Sequence, residues 1–219
     1  MAFSGGATVT GSLGASAASP CNATPTVINT GDLVIVSIDA DGVTSLDGVT
    51  DTLGNAYRPV AAQFATTSLA GQGAGFFRSF YAIATVGGSA PTVHGNFTGT
   101  TTSYAEMAVT RYVSSRGGIT LGASARAQAA GSAGPAASGA ITLATDALLY
   151  GYNDCTNNDA TQPGGWIEVE TSFHTVAHIL SAAPGSVSYS PTLGSTEGWV
   201  SEIVSFTERP TRLLLVGVS

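Results

Sequence analysis

Apolar residues in this chain recur at strand spacing and almost nowhere at helical spacing, which removes most fold classes at once. Short segments rich in Val, Ile, Thr, Tyr and Phe alternate with clusters of Gly, Pro, Asn, Asp and Ser. β-Branched and aromatic side chains suit a pleated surface and the intervening residues suit turns, so the pattern predicts an all-β chain. Strands are expected at residues 3–10, 33–39, 56–65, 75–86, 92–97, 103–113, 140–144, 147–152, 166–170, 173–181, 186–190 and 199–208. No helical crossovers separate them, which favours an antiparallel, jelly-roll-like β-sandwich over βαβ units.

In 104–113 the alternate residues Ala105, Met107, Val109 and Val113 form an apolar row, broken by Arg111, that is expected to face the core. Residues 33–38, LVIVSI, are apolar almost throughout, as for a strand covered on both faces. Residues 117–139, GGITLGASARAQAAGSAGPAASG, read instead as short outer strands joined by an Ala/Gly/Ser loop. With no repeat at a solenoid or propeller period and no charged or Pro-rich linker, one domain over 1–219 is expected. An N-terminal extension (1–30) and a C-terminal strand or arm (209–219) are the segments expected to make intersubunit contacts. RPTRLLLVGVS at the C-terminal side is either another core strand or an arm for a neighbour's sheet edge.

Charged residues make up 10% of the chain and hydrophobic residues 43%, a balance that predicts folding rather than disorder. There is no lysine; the seven basic residues are arginines scattered singly from Arg58 to Arg212, and the net charge is −7. A nucleic-acid binder needs a basic stripe to displace counterions, so nucleic acid is set aside as a partner. Surfaces this poor in charge are expected to be satisfied by neutral Ser, Thr, Asn and Gly and by neighbouring subunits. Cys21 and Cys155 lack CxxC or zinc spacing and are expected to be free thiols, with a bridge between them as the alternative. The first twenty residues lack the basic and continuous apolar regions of a Sec signal, and LVIVSI and LLLVGV are strand-sized, so no export signal and no membrane partner are expected.

Residues 167–179, IEVETSFHTVAHI, place Glu170, His174 and His178 at four-residue spacing. Read with period two, Ile167, Val169, Phe173, Ala177 and Ile179 fall on one side, and Glu168, Glu170, Ser172, His174 and His178 on the outer, polar one. Residues four apart on a strand lie about 13 Å apart, too far to share an ion easily, so a metal site is not expected. Asp39, Asp41 and Asp47 fail the EF-hand register, with Val43 and Thr44 at positions five and six and Thr50 at twelve; a looser calcium site is the alternative to turn chemistry there. Asp51 to Asn55 reads as an Asx-type hairpin corner. No GxSxG is present, and Gly71 to Phe77 lacks a Walker lysine. Glu106, Glu168, Glu170, Glu197 and Glu202 are the acids available for a glycosidase-type pair. Trp166 and Trp199 are expected to cap core ends, with stacking on sugars as the rival. No catalytic, metal or cofactor residue is assigned, and a non-enzymatic protein is expected.

The succession GDLVIVSI, VTDTLGNAYRPV, FFRSFYAIA, PTVHGNFTG, EMAVTRYVSS, GGWIEVE, VAHILSAAPGSVSYSPTL and WVSEIVSF resembles a β-sandwich domain of tailed-bacteriophage virion proteins. Related modules resemble parts of bacterial surface proteins. The likeness spans residues 3–206 and includes a corner made by Asp51, Gly54, Asn55 and Tyr57. It implies a structural module, most simply a capsid decoration or cement protein assembled in the host cytoplasm. Its partners would be the major capsid protein, copies of itself, or both; a tail or fibre piece, or a carbohydrate-binding module, is the alternative. The resemblance carries no catalytic motif onto this chain.

Overall fold

The computed structural model describes residues 3–66, 74–115, 117–132, 134–157, 160–170 and 174–209, and every regular element in them is a strand. In chain order these are β1 (Phe3–Leu13), β2 (Cys21–Ala23), β3 (Val27–Ile28), β4 (Leu33–Asp41), β5 (Ser45–Asp51), β6 (Arg58–Pro59), β7 (Phe64–Thr66), β8 (Gly75–Ile83) and β9 (Gly88–Ser89). They continue as β10 (Val93–Thr98), β11 (Ala105–Ser114), β12 (Ile119–Ser132), β13 (Ala140–Leu143), β14 (Ala147–Cys155), β15 (Ile167–Glu170), β16 (Thr175–Ala182), β17 (Gly185–Ser188) and β18 (Glu197–Glu208). The all-β, antiparallel, sandwich-like class predicted from the spacing is the observed one.

The strands stack in four layers. A first inner sheet runs β1-β11-β4-β8-β6, with β7 also on β8; a second runs β12-β18-β14-β16-β15. Leu33, Ile35, Phe77, Ala108 and Tyr112 of the first meet Leu148, Tyr150, Tyr152, Val200, Val204 and Phe206 of the second in a shared core. The outer face of the first sheet, with Val34, Val36, Ile38 and Met107, is covered by a small sheet β2-β10-β5 carrying Cys21, Leu46, Val93 and Phe97. On the far side, Ile141 and Leu143 of the β13–β17 ribbon cover Leu149, Ala177 and Ile203. Central strands are therefore buried on both faces: all nine residues of β4 and all nine of β14 are buried.

That double cover explains the sequence of β4. The Val34-Ile35-Val36 run is stiff at χ1 and favours the extended chain, and each such side chain contributes about 1.5–3 kcal/mol on burial. Gly151 of β14 answers the same crowding, since a Cβ there would lie 2.7 Å from the Tyr189 ring and 2.8 Å from Trp166.

The two inner sheets also share one connectivity. β1, β11, β4, β8 and β6 occupy the places that β12, β18, β14, β16 and β15 occupy, and the β2–β10 pair matches the β13–β17 pair. The repeat is a whole half-chain, longer than the periods of about 20–50 residues at which solenoids and propellers repeat.

The strand expected at 3–10 is the start of β1, and β2 and β3 follow it within residues 21–28. Two expectations change. The 117–139 region holds β12, a 14-residue strand rather than short pieces. Residues 45–51, read within a loop, form β5. The C-terminal arm beyond Arg209 and residues 71–73 of the glycine-rich turn lie outside the described residues. Cys21 and Cys155 are not joined in a disulfide and lie buried in separate clusters, and burial pushes the Cys21 thiol up to about 12.

The Asp51–Asn55 corner forms as expected. Asp51 Oδ1 accepts from the N–H groups of Leu53 and Asn55, each at 3.0 Å, and its Oδ2 accepts from Asn55 Nδ2 at 2.9 Å and the Tyr57 hydroxyl at 3.1 Å. Gly54 takes φ +80°, which suits a residue without Cβ. Asn55 Oδ1 accepts from Thr85 N at 2.8 Å and Val86 N at 3.0 Å, tying the corner to the segment after β8. Asn55→Ala strands those partners and is expected to cost about 2–4 kcal/mol. Urea unfolding would show a lower midpoint at unchanged slope, and a loss below about 0.5 kcal/mol would contradict the lock.

Candidate functional site: two free edges and a buried carboxyl pair

β1 and β12 open the two halves, and each is the edge strand of its sheet. A free edge presents unpaired N–H and C=O groups, and proteins blunt it with Lys, Pro, surface charge, bulges or inward-pointing charge. β1 contains no charged residue and no proline. β12 has one charge, Arg126, and it points inward: its Nε lies 3.6 Å from Glu202 Oε1, and its guanidinium sits 5.2 Å above the Phe64 ring. Register shifts at Gly5/Ala7, Leu121/Ser124 and Ala129/Ser132 kink the edges but leave regular runs between them. Small residues let each edge lie close to the opposite sheet; at Gly6, with φ +109°, a Cβ would fall 2.4 Å from His178.

Between the inner sheets lies a polar seam inside the apolar core. The Ser37 hydroxyl bonds the Ser79 hydroxyl and the Tyr150 hydroxyl, each at 2.8 Å, and Ser79 donates to Glu202. Further along, Asp39 of β4 and Asp154 of β14 bring two buried carboxyls, 0% and 4% exposed, close enough to influence one another's charge. The Tyr104 hydroxyl donates to Asp39 Oδ2 at 3.2 Å. Asp39 Oδ1 and Asp154 Oδ2 have no partner when both groups are treated as carboxylates; a shared proton supplies the missing donor. Burial raises both carboxyls, and for Asp154 the neighbouring Asp39 charge adds to it. Burial likewise raises Glu202 to about 7, against the opposing pull of Ser79 and Arg126.

The histidines correct the sequence reading. His174 and His178 are not on an outer polar face: they are 0% and 3% exposed and point into the seam, because β16 is covered on both sides. His174 Nδ1 lies 3.8 Å from Glu106 Oε2 and its ring 5.1 Å from Tyr152; His178 stands edge-on to Tyr112 at 5.5 Å. Burial lowers the His178 pKa and favours the neutral ring. Ile167, expected inside, is 55% exposed.

Asp39, Asp41 and Asp47 do not converge. Asp39 faces Asp154, Asp41 accepts from the N–H groups of Ser103 and Tyr104 at 2.9 and 2.8 Å, and Asp47 accepts from Ser45 and Thr98 on the outer sheet. No group of three or more His, Cys, Asp or Glu among the described residues is arranged to hold a metal. The five glutamates are dispersed as well: Glu106 beside His174, Glu202 beside Ser79 and Arg126, Glu168 and Glu170 on the edge strand β15, and Glu197 accepting from Asn157 N at 2.6 Å. Trp199 is 7% exposed in a core cluster, and the Trp166 ring packs 4.6 Å from Tyr189, which places both as core caps. The residues missed from sequence are Asp154, Tyr104 and Tyr152. Their one signal was an acid inside each apolar strand, Asp39 after LVIVSI and Asp154 after LLYGYN.

A carboxyl held protonated in the fold but ionised near pH 4 when unfolded adds stability that is complete below that pH and fades as pH rises through the folded value. For Glu202 the fading runs from about 4 to about 7, and the Asp39–Asp154 pair acts in the same direction. Two groups oppose it. Asp41 does so in acid: burial pushes its carboxyl up, but the Tyr104 and Ser103 N–H groups outweigh this and hold it low. His178 does so below about 6.5, because burial keeps its ring neutral, but three raised carboxyls act against that one imidazole. Thermal unfolding is therefore expected at a higher temperature at pH 5.5 than at pH 8. Asp154→Asn, whose amide can donate to Asp39 without a charge, should narrow the gap; a flat profile would refute the shared proton. No protein-family model matches this chain, and no curated protein or solved structure matches it.

Proposed function

We propose that this chain is a non-enzymatic virion structural protein, a capsid decoration or cement protein of a tailed phage, assembling through its free sheet edges. The observation that carries the reading is the pair of long edges, β1 and β12, left without lysine, proline or outward charge. Edges in that state pair with further strands, and main-chain hydrogen bonds give such contacts their strength. Symmetric repetition multiplies a modest contact over a shell, so no single contact has to be strong. The β-sandwich resemblance, with its Asp51, Gly54, Asn55 and Tyr57 corner, supports the same class, and a surface of neutral polar groups suits contacts with the major capsid protein or with further copies.

Quantitative mass spectrometry of gradient-purified particles tests the assignment through copies of this chain per major capsid subunit. A ratio commensurate with the icosahedral lattice is expected; complete absence from particles would overturn the proposal, and a few copies per particle would move it to the tail. The edge contact has its own test. Ala7 and Ala130 are exposed on β1 and β12. The double variant Ala7→Lys/Ala130→Lys is expected to keep its unfolding temperature and lose about tenfold in particle binding, or about 1.4 kcal/mol. Unchanged binding would remove the edges from the interface.

A further inference from the structure

Where the inner sheets part beside β6, a cleft of about 470 Å³ opens between the last residues of β8 and the first of β12. Tyr81 and Ile83 form one wall and Ile119 and Leu121 the other, with Thr85 and Arg58 among the polar lining groups. The floor continues into the shared core: Tyr81 packs edge-on to Phe206 at 5.5 Å. Ile83 is 39% exposed, a large apolar side chain left facing solvent over a built floor.

Arg58 distinguishes this cleft from an ordinary crevice. Arg111 pairs with Asp32 at 2.6 Å, Arg126 lies beside Glu202, and Arg78 donates to the Ala61 carbonyl at 3.1 Å. Arg58 is exposed and, among the described residues, makes no ion pair. The chain carries 14 acidic residues against seven arginines, so the unpaired guanidinium does not reflect a shortage of carboxylates. Like Arg209, it is an exposed cation with no ion pair among the described residues, and it stands among the lining of an apolar cleft.

We propose that the cleft binds an amphipathic carboxylate, its apolar body between Ile83 and Leu121 and its carboxylate on the Arg58 guanidinium. Ligand sites of roughly 300–1,000 Å³ join an apolar lining to a few polar anchors, and this cleft has that make-up at the small end of the range. The planar guanidinium matches a carboxylate bidentately, which a lone hydroxyl cannot exploit. A medium-chain fatty acid has the required chemistry. The cleft borders the β12 edge, but its ligand is tested on the isolated chain, so the two proposals stand or fall separately.

Octanoate, with octanol as its neutral counterpart, is the probe, titrated at low salt into the full chain, so that everything following Arg209 stays in place. Methyl resonances of Ile83, Ile119 and Leu121 are expected to shift saturably with octanoate, and octanol to bind about tenfold more weakly. Arg58→Gln should lower octanoate affinity about tenfold, leaving octanol binding and the unfolding temperature unchanged. Ile83→Ser should weaken both probes. Equal affinity for the two probes, an Arg58→Gln variant that binds octanoate normally, or no saturation below about 10 mM would each overturn the proposal.

Discussion

Face-to-face burial of the two inner sheets is the constraint on which the other features depend. A strand covered on one side can alternate apolar and polar residues; β4, β14 and most of β18 are covered on both and cannot. Polar groups that remain in these strands are cut off from water and gain stability from partners inside the protein. Ser37, Ser79, Tyr150 and Glu202 do so through one chain of hydroxyl bonds, and Asp39 with Asp154 does so by keeping a proton. The seam is thus the polar remainder of a stacking geometry, and its dependence on pH follows from the same burial that stabilises the core.

Much of this was legible in the sequence wherever a local rule decides the outcome. The unbroken run at Leu33 announced a doubly covered strand, the Ala105, Met107 and Val109 row announced a core face, and Asp51 to Asn55 announced its corner. Other features depend on what lies opposite, which no local pattern contains. Ser172 and Phe173 lie outside the described residues; His174 and His178 turned inward, with Gly6 of β1 and Tyr112 against His178, while Ile167 was left at an edge. β12 lacked the bulky residues that mark a strand, and it lies above β7, where Gln128 reaches the Ala65 carbonyl at 2.9 Å and Arg126 stands over the Phe64 ring. The carboxyl pair joins residues more than a hundred positions apart, and only the stacking brings them together.

Edges and cleft reflect a different economy from the core. The apolar layers fix the molecule internally, whereas β1 and β12 carry no proline and no outward charge, only register shifts and the inward Arg126. Backbone pairing capacity is left open along the regular runs of the edges, and at the cleft Arg58 has no counter-ion among the described residues. Features of that kind cost a free monomer something in solubility and order, and they are retained more readily when another molecule completes them.

The matched connectivity of the two halves gives the inner seam a further property. Two sheets of the same strand order meeting face to face have the layout of an isologous contact between two subunits, here joined in one polypeptide. Between separate chains, such a contact would weaken on dilution, because its strength would depend on protomer concentration. Within one chain the second half is held at an effective concentration in about the millimolar range, whatever the bulk value. Dilution therefore cannot separate the halves, and the joint stays closed however low the protein concentration falls.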